Sequence, residues 1–248
     1  MYSDILILIL SVFLFSCKLK TDTSIIDKNM APADTVEVQQ QVPEEIRKPQ
    51  SILSLEEQGL VDIHTLDETI QVDLKYATTD NFTNTILYDS VYQAYLHPLA
   101  ANKLVKAQHL LKEINPGYSL LIYDAARPLS VQRKMYDVVR NTRYKAYVAN
   151  PERIGMHNYG MAVDLTIADS EGMALDMGTP FDFFGRAAGI NQEDQLRSEG
   201  VLSREQIDNR RLLRKVMTEA GFITIRGEWW HFNAVSHSHA KKIAKVIE

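Results

Sequence analysis

The chain has 248 residues, 45% hydrophobic and 24% charged, the make-up of a globular protein long enough for one large domain or two small ones. A formal net charge of -5 leaves no basic footprint, so nucleic acid is not expected as a partner. A single cysteine rules out an internal disulfide framework.

The run ILILILSVFLF, Ile5 to Phe15, is unbroken apolar sequence followed by Ser16 and the sole cysteine, Cys17. It is too short for a bilayer-spanning helix, which needs about 20 residues, and it suits the hydrophobic region of a secretory signal. LFSC resembles a bacterial lipoprotein signal, in which the cysteine is lipidated and becomes the new N-terminus. MYSD without a positive charge and the bulky Phe15 depart from that pattern, and a short membrane-anchored or uncleaved signal segment is the alternative. The expectation is a signal peptide over residues 1–17, lipidation at Cys17, and export to the periplasmic side of a bacterial membrane on a lipid anchor alone. Residues 18–53 are polar, without aromatic residues or sustained periodicity, and read as a disordered tether. The folded domain is expected over 54–248.

Within that domain DETIQVDLKYAT reads as a strand ending near Tyr76, followed by an irregular tyrosine-rich segment to His97. Leu104, Ala107, Leu111 and Ile114 fall on one face of a helix stopped by Asn115-Pro116-Gly117. Tyr118 to Tyr123 is a buried strand running into the loop DAARP. Pro128 and Ser130 open a helix with Val131, Met135 and Val138 inward. MAVDLTI alternates, with Val163, Leu165 and Ile167 on one face and Ala162, Asp164 and Thr166 on the other. Ser203 with Gln206 makes a capping box for a helix ending at Gly221. FITI is a strand, and SHSHAKKIAKVIE is a closing helix. Strands and helices mix without a βαβ rhythm or a Gly-rich phosphate loop. That favours one α+β domain, a small central antiparallel sheet flanked by helices.

Four stretches place polar residues where a core pattern wants apolar ones. In GMHNYGMAVDLT, Asp164 lies inside an apolar strand, where an unpaired carboxylate costs several kcal/mol. A metal, a cation or a helix N-terminus must neutralise it, and an ordinary Asp–Arg pair is the plain alternative. In EWWHF, His231 follows Glu228 by three residues. His64, His97, His109, His237 and His239 have no acid partner at informative spacing and read as ordinary histidines, and taken singly His231 could be one too. Together His157, Asp164 and His231 form a three-ligand set that leaves the fourth tetrahedral position of zinc open, the pattern of a catalytic site. Glu228 is then left beside the metal as a general base. Trp229 and Trp230 would lock the ligand and keep the site dry. Arg127 leaves the end of a buried strand, either at a site or in a surface salt bridge. Asp182 interrupts the aromatic run PFDFF, either at a site or as a helix cap.

These residues carry a resemblance. HxxGxAxD followed far downstream by ExxH is similar to the signature of the zinc D-alanyl-D-alanine dipeptidases of the vancomycin-resistance type, relatives of D,D-carboxypeptidases and of the hedgehog signalling domain. DLKYATTDNF, DAARP, MGTPFD and NRRLLRKVMTEAGF resemble further segments of that family, so the likeness covers about Asp73 to Phe232. It implies a hedgehog/D,D-peptidase-like fold, one Zn²⁺ per chain held by His157, Asp164 and His231, Glu228 as catalytic acid/base, and Arg127 as transition-state stabiliser. It places Tyr76 and Asp182 at the amino end of the substrate. Gly155 stands where the family pattern has serine. GRAAGINQEDQLRSEG matches least and is expected, as a loop near the site, to bear on substrate range.

The implied activity is hydrolysis of D-alanyl-D-alanine or a close D,D-dipeptide by activated water, with no covalent intermediate. Two rivals stand beside it: a D,D-carboxypeptidase acting on peptidoglycan stem peptides, and a non-catalytic zinc module binding wall peptides. Glu228 argues against the second, since a pure binding site has no use for a general base.

Overall fold

The computed structural model describes residues 50–248, so the expected signal peptide, lipidation at Cys17 and most of the expected tether lie outside the described residues. Helix α1 spans Gln50–Glu57 and buries Ile52 and Leu55, spaced i and i+3, in the core. The boundary expected at residue 54 therefore falls inside a helix that packs on the domain.

The chain continues through β1 (Val61–Asp62), β2 (Gln71–Val72) and β3 (Tyr95–Leu96). The strand expected up to Tyr76 stops early: Lys75–Ala77 is a 3-10 turn, which buries the Tyr76 ring. Helix α2 (Pro98–Ile114) follows, with proline at its first position and the His97 ring capping Leu99 N–H. Leu104, Ala107 and Leu111 are fully buried as expected, each leucine contributing roughly 1.5–3 kcal/mol of burial. Ile114, expected on the same face, is 49% exposed because it belongs to the last turn, beyond the packed length of the helix.

Then come β4 (Ser119–Asp124), α3 (Leu129–Val139), β5 (Ala162–Ala168), α4 (Glu193–Ser198), α5 (Arg204–Glu219), β6 (Ile223–Thr224), β7 (His231–Asn233) and α6 (His237–Ile243). On α3 the inward face runs Val131, Met135, Val139, a strict i, i+4, i+8 series, and Val138 turns out at 43% exposure. The capping box of α5 forms, Ser203 Oγ accepting from Gln206 N–H and Gln206 Oε1 accepting from Ser203 N–H.

Five strands form one sheet in the order β2-β4-β5-β7-β6, and β1 and β3 form a separate antiparallel pair. The sheet is antiparallel, as expected, except at one edge, where β2 runs parallel to β4. A parallel neighbour needs a crossover, and α2 lies between these two strands in the chain. Every residue of β5 is buried. Its alternation separates two covered faces, not a buried face from a wet one, which leaves Asp164 and Thr166 inside. At the end of β4 the pairing with β5 shifts by one residue after Ile122, so that Asp124 stands opposite Asp164. A bulge of this kind re-aims the strand end, and here it brings two buried acids to one place.

Candidate active site

Asp164 in the middle of β5 and His231 in β7 are direct cross-strand partners, with Asp164 Oδ1 2.8 Å from His231 Nδ1. His157 enters from the 3-10 turn His157–Tyr159 just ahead of β5. That turn closes on Gly160 at φ +63°, where a Cβ would lie 2.9 Å from Leu60 Cδ2 and 3.0 Å from the His97 backbone nitrogen. Only glycine satisfies both demands, and its tight approach sets His157 against the sheet. The donor atoms of His157, Asp164 and His231 all lie within 4.8 Å of one another.

The outer hydrogen bonds decide which atoms face inward. His157 Nδ1–H donates to the Ala125 carbonyl at 2.7 Å, and His231 Nε2–H donates to Asn233 Oδ1 at 2.9 Å. With those outer nitrogens donating, a neutral ring at either position turns a lone pair inward: His157 Nε2 and His231 Nδ1 face each other across 3.2 Å, with Asp164 oxygens at 3.4 and 2.8 Å. Three electron-rich groups facing one point are stable only around positive charge, a metal ion or a proton. The same pull is visible in the titration of the group. Burial alone would depress His231, but Asp164 overrides it and lifts the imidazole to about 9. Burial alone would raise Asp164, but the two imidazoles hold it well below the usual carboxylate range. The donor set fits a divalent cation with mixed nitrogen and oxygen ligands.

Beside this set lies a cavity of about 220 Å³, lined by Glu228, Arg127, Asp182, Tyr76 and Trp230 as well as the three donors. The seven residues to which the resemblance gives a role at the metal or the substrate thus meet at one cavity. Glu228 is half-buried, and that burial raises its carboxyl above the usual range despite the nearby His231. It is not part of the converging trio.

Arg127 is buried in an ion pair with Asp124, a residue that the sequence reasoning passed over. Its Nε and Nη2 both donate to Asp124 Oδ2, and Nη1 donates to Gln132 Oε1 at 2.8 Å and to Met135 Sδ at 3.7 Å. Of the five guanidinium N–H groups, one on Nη2 has no partner among the described residues, and Arg127 lines the cavity. Burial would lower its pKa, but Asp124 and Tyr76 keep it charged, well above the usual value. Asp124 also accepts from Tyr88 OH at 2.5 Å and lies 3.4 Å from His157 Nδ1. The guanidinium stands 5.1 Å from the Tyr76 ring centroid. Asp124 carried a signal akin to that of Asp164, an acid in a buried apolar strand, here at its end and with Arg127 three residues on. Asn233 likewise follows His231 by two residues, the spacing that puts two side chains on one face of a strand.

Tyr76 OH donates to Asp182 Oδ2 at 2.8 Å, and Asp182 adopts φ +58°, a conformation uncommon for a residue with a Cβ. Burial pushes its carboxyl well above the usual range even though Tyr76 counters this. The two tryptophans divide their duties. Trp230 faces the cavity, with Phe181 edge-on at 5.5 Å. Trp229 turns away, donating its indole N–H to Thr179 Oγ1 at 2.9 Å beneath the Arg210 guanidinium.

Gly155 lines the cavity and its N–H donates to Asn158 Oδ1 at 2.9 Å. A Cβ there would meet that oxygen at 3.4 Å, an ordinary contact, so the backbone would accept the serine of the resembling family. The segment expected as a substrate-range loop is instead a 3-10 turn (Arg186–Ala188) and α4, held to α5 by the Glu193–Arg214 pair. Among the described residues, none of 185–200 lines this cavity, because α4 buries its apolar face, Leu196, against Leu202 and Ile207.

A family model described as D-ala-D-ala dipeptidase matches residues 56–248. The chain is 33% identical over 173 residues to the D-alanyl-D-alanine dipeptidase of Escherichia coli, which covers 70% of this chain and 83% of that protein. It is 27% identical over 202 residues to the D-alanyl-D-alanine dipeptidase of Enterococcus faecalis, covering 74% and 95%. Against the D-alanyl-D-alanine dipeptidase of Enterococcus faecium it is 29% identical over 192 residues, covering 70% and 90%.

Proposed function

The chain belongs to the D-Ala-D-Ala dipeptidase family of metallopeptidases, and from that premise we propose that it is a zinc-dependent dipeptidase cleaving D-alanyl-D-alanine or a close D,D-dipeptide. The observation that carries the reading is the convergence of three lone-pair donors, with their outer nitrogens already engaged, on a cavity that also holds a carboxylate outside the donor set. His157 Nε2, Asp164 and His231 Nδ1 would hold the zinc ion, which when bound supplies Lewis acidity toward a water molecule and a peptide carbonyl.

Glu228 takes the proton of the attacking water and returns it to the departing amine. Its raised pKa makes it a stronger base than an exposed glutamate and a usable acid for the second transfer. Arg127, fixed by Asp124 and Gln132, aims its remaining N–H at the oxygen on which negative charge develops. Asp182, steadied by Tyr76, receives the ammonium of the dipeptide. Trp230 and Phe181 keep water from these charges. We further read the protein as an exported lipoprotein, anchored through Cys17, on the strength of the apolar run that precedes its sole cysteine.

The test is turnover by the purified, zinc-supplied protein of D-Ala-D-Ala against N-acetyl-D-Ala-D-Ala and a pentapeptide ending in D-Ala-D-Ala. Cleavage of the free dipeptide far ahead of the others supports the reading. Preference for the pentapeptide would turn it to a D,D-carboxypeptidase.

A further inference from the structure

Resting on the dipeptidase reading above, we propose that Phe82 limits the substrate to two residues by walling off a hollow suited to the amino-terminal extension of a longer peptide. A second hollow, of about 340 Å³, adjoins the site and is lined by Lys75, Asp80, Asn81, Tyr123 and Phe181 among others. Among the described residues, only Phe82 and Asp182 border both this hollow and the cavity that holds Glu228 and the three donors. These two side chains form the partition.

Each is held in place. Asp182 accepts from Tyr76 OH at 2.8 Å. Phe82 is gripped edge-on from three sides, by Tyr76 at 6.4 Å, Phe184 at 4.9 Å and Tyr144 at 6.3 Å between ring centroids. Such pairs fix ring position as well as bury area. The two sides of the partition differ in what can replace them. An extended substrate presents an amide N–H where the dipeptide presents its ammonium, so it can keep one hydrogen bond to Asp182 but loses the charge pair. Nothing in an extended substrate can pass through the phenyl ring. Beyond it, Lys75 pairs with both Asp73 and Asp80, at 2.7 and 2.8 Å. Among the described residues, the acids that line the hollow, Asp80 and Asp182, outnumber its one cation, Lys75, which suits the displaced ammonium of a longer D-peptide.

The experiment compares kcat/KM on D-Ala-D-Ala, N-acetyl-D-Ala-D-Ala and D-Ala-D-Ala-D-Ala for the zinc-supplied wild type, Phe82→Ala and Phe82→Leu, with metal content measured on each. Phe82→Ala should raise the tripeptide-to-dipeptide ratio about tenfold or more, and Phe82→Leu about threefold, within the usual range for reshaping an apolar pocket wall. In an inactive Glu228→Gln background the same gain should appear as tighter binding of the tripeptide by calorimetry. Ratios within about twofold of wild type in either metal-replete variant overturn the proposal, and if Phe82→Ala does not fold, Phe82→Leu decides. A wild type that cleaves no free D,D-dipeptide overturns the dipeptidase reading and the partition with it, an outcome distinct from an unmoved ratio.

Discussion

Asp164 on β5 and His231 on β7 stand opposite each other across two antiparallel strands, 2.8 Å apart at their nearest donor atoms. Two of the three candidate metal ligands are therefore set by sheet pairing and need no loop closure to meet. The protein should purify with, or take up, about one zinc per chain, and its thermal midpoint should rise with added zinc, as for any ligand that binds only the native state. Asp164→Ala/His231→Ala should abolish both effects. Stoichiometric zinc retained by that double variant would remove the assignment.

Glu228→Gln should keep its zinc and lose roughly 10²–10⁴ in turnover, the usual worth of a general base. Burial raises the Glu228 carboxyl, so the ionised base is lost while pH is still above the ordinary glutamate range. Turnover should therefore fall on acidification earlier than an exposed glutamate, at about 4.3, would require. A wild-type profile flat down to that value, or a metal-free Glu228→Gln, would contradict the role.

Arg127→Ala should do two things at once. It should lower kcat on the order of 10²–10³, as for loss of an oxyanion donor. It should also destabilise the fold by roughly 3–5 kcal/mol, because Asp124, 0% exposed, is left charged and unpaired beside an arginine that was itself only 8% exposed. Adding Asp124→Asn should recover much of the stability and none of the activity. Chemical denaturation and kinetics on the same two variants separate the effects, and a double variant with restored turnover would deny Arg127 its part.

Free D-Ala-D-Ala should be cleaved about two to four powers of ten faster in kcat/KM than its N-acetyl form, the equivalent of roughly 3–5 kcal/mol for a broken buried pair. Asp182→Ala should erase most of that preference by impairing the dipeptide reaction. Burial holds the Asp182 carboxyl well above its ordinary range, so acid should weaken dipeptide binding by protonating it. KM for the free dipeptide should rise as pH falls, and that rise should be absent in Asp182→Asn. Equal rates on free and acetylated dipeptides would count against the ammonium pocket.

Labelled fatty acid should incorporate into the wild type and not into Cys17→Ala, with the wild type in the membrane fraction. Among the described residues no helix is long and apolar enough to cross a membrane. Recovery of unlipidated wild type would refute the reading of Cys17.

The chemistry of the site was legible in the sequence because its signals are local. An acid inside an apolar strand, a histidine seven residues before it, and a glutamate three residues before a second histidine all violate the core pattern of their own segments. Asp164, His157, His231 and Glu228 could be found without knowing which strands pair. The capping box at Ser203 and the glycine stop at Gly221 are equally local, since a cap is satisfied within one turn. Only the tertiary structure decided what depends on neighbours distant in the chain. The bulge between β4 and β5 turned Asp124 into the buried partner of Arg127, where the sequence left a surface salt bridge open as the alternative. Pairing on both edges buried the polar side of β5 along with its apolar side. Docking of α3 selected Val139 over Val138. The meeting of Tyr76 and Asp182, 106 residues apart, and of Phe82 with Phe184 and Tyr144, rests on contacts that leave no period in the sequence. Ligand identity is a property of residue type, which the chain spells out; the walls around the ligands are made by packing, which it specifies only through the whole fold.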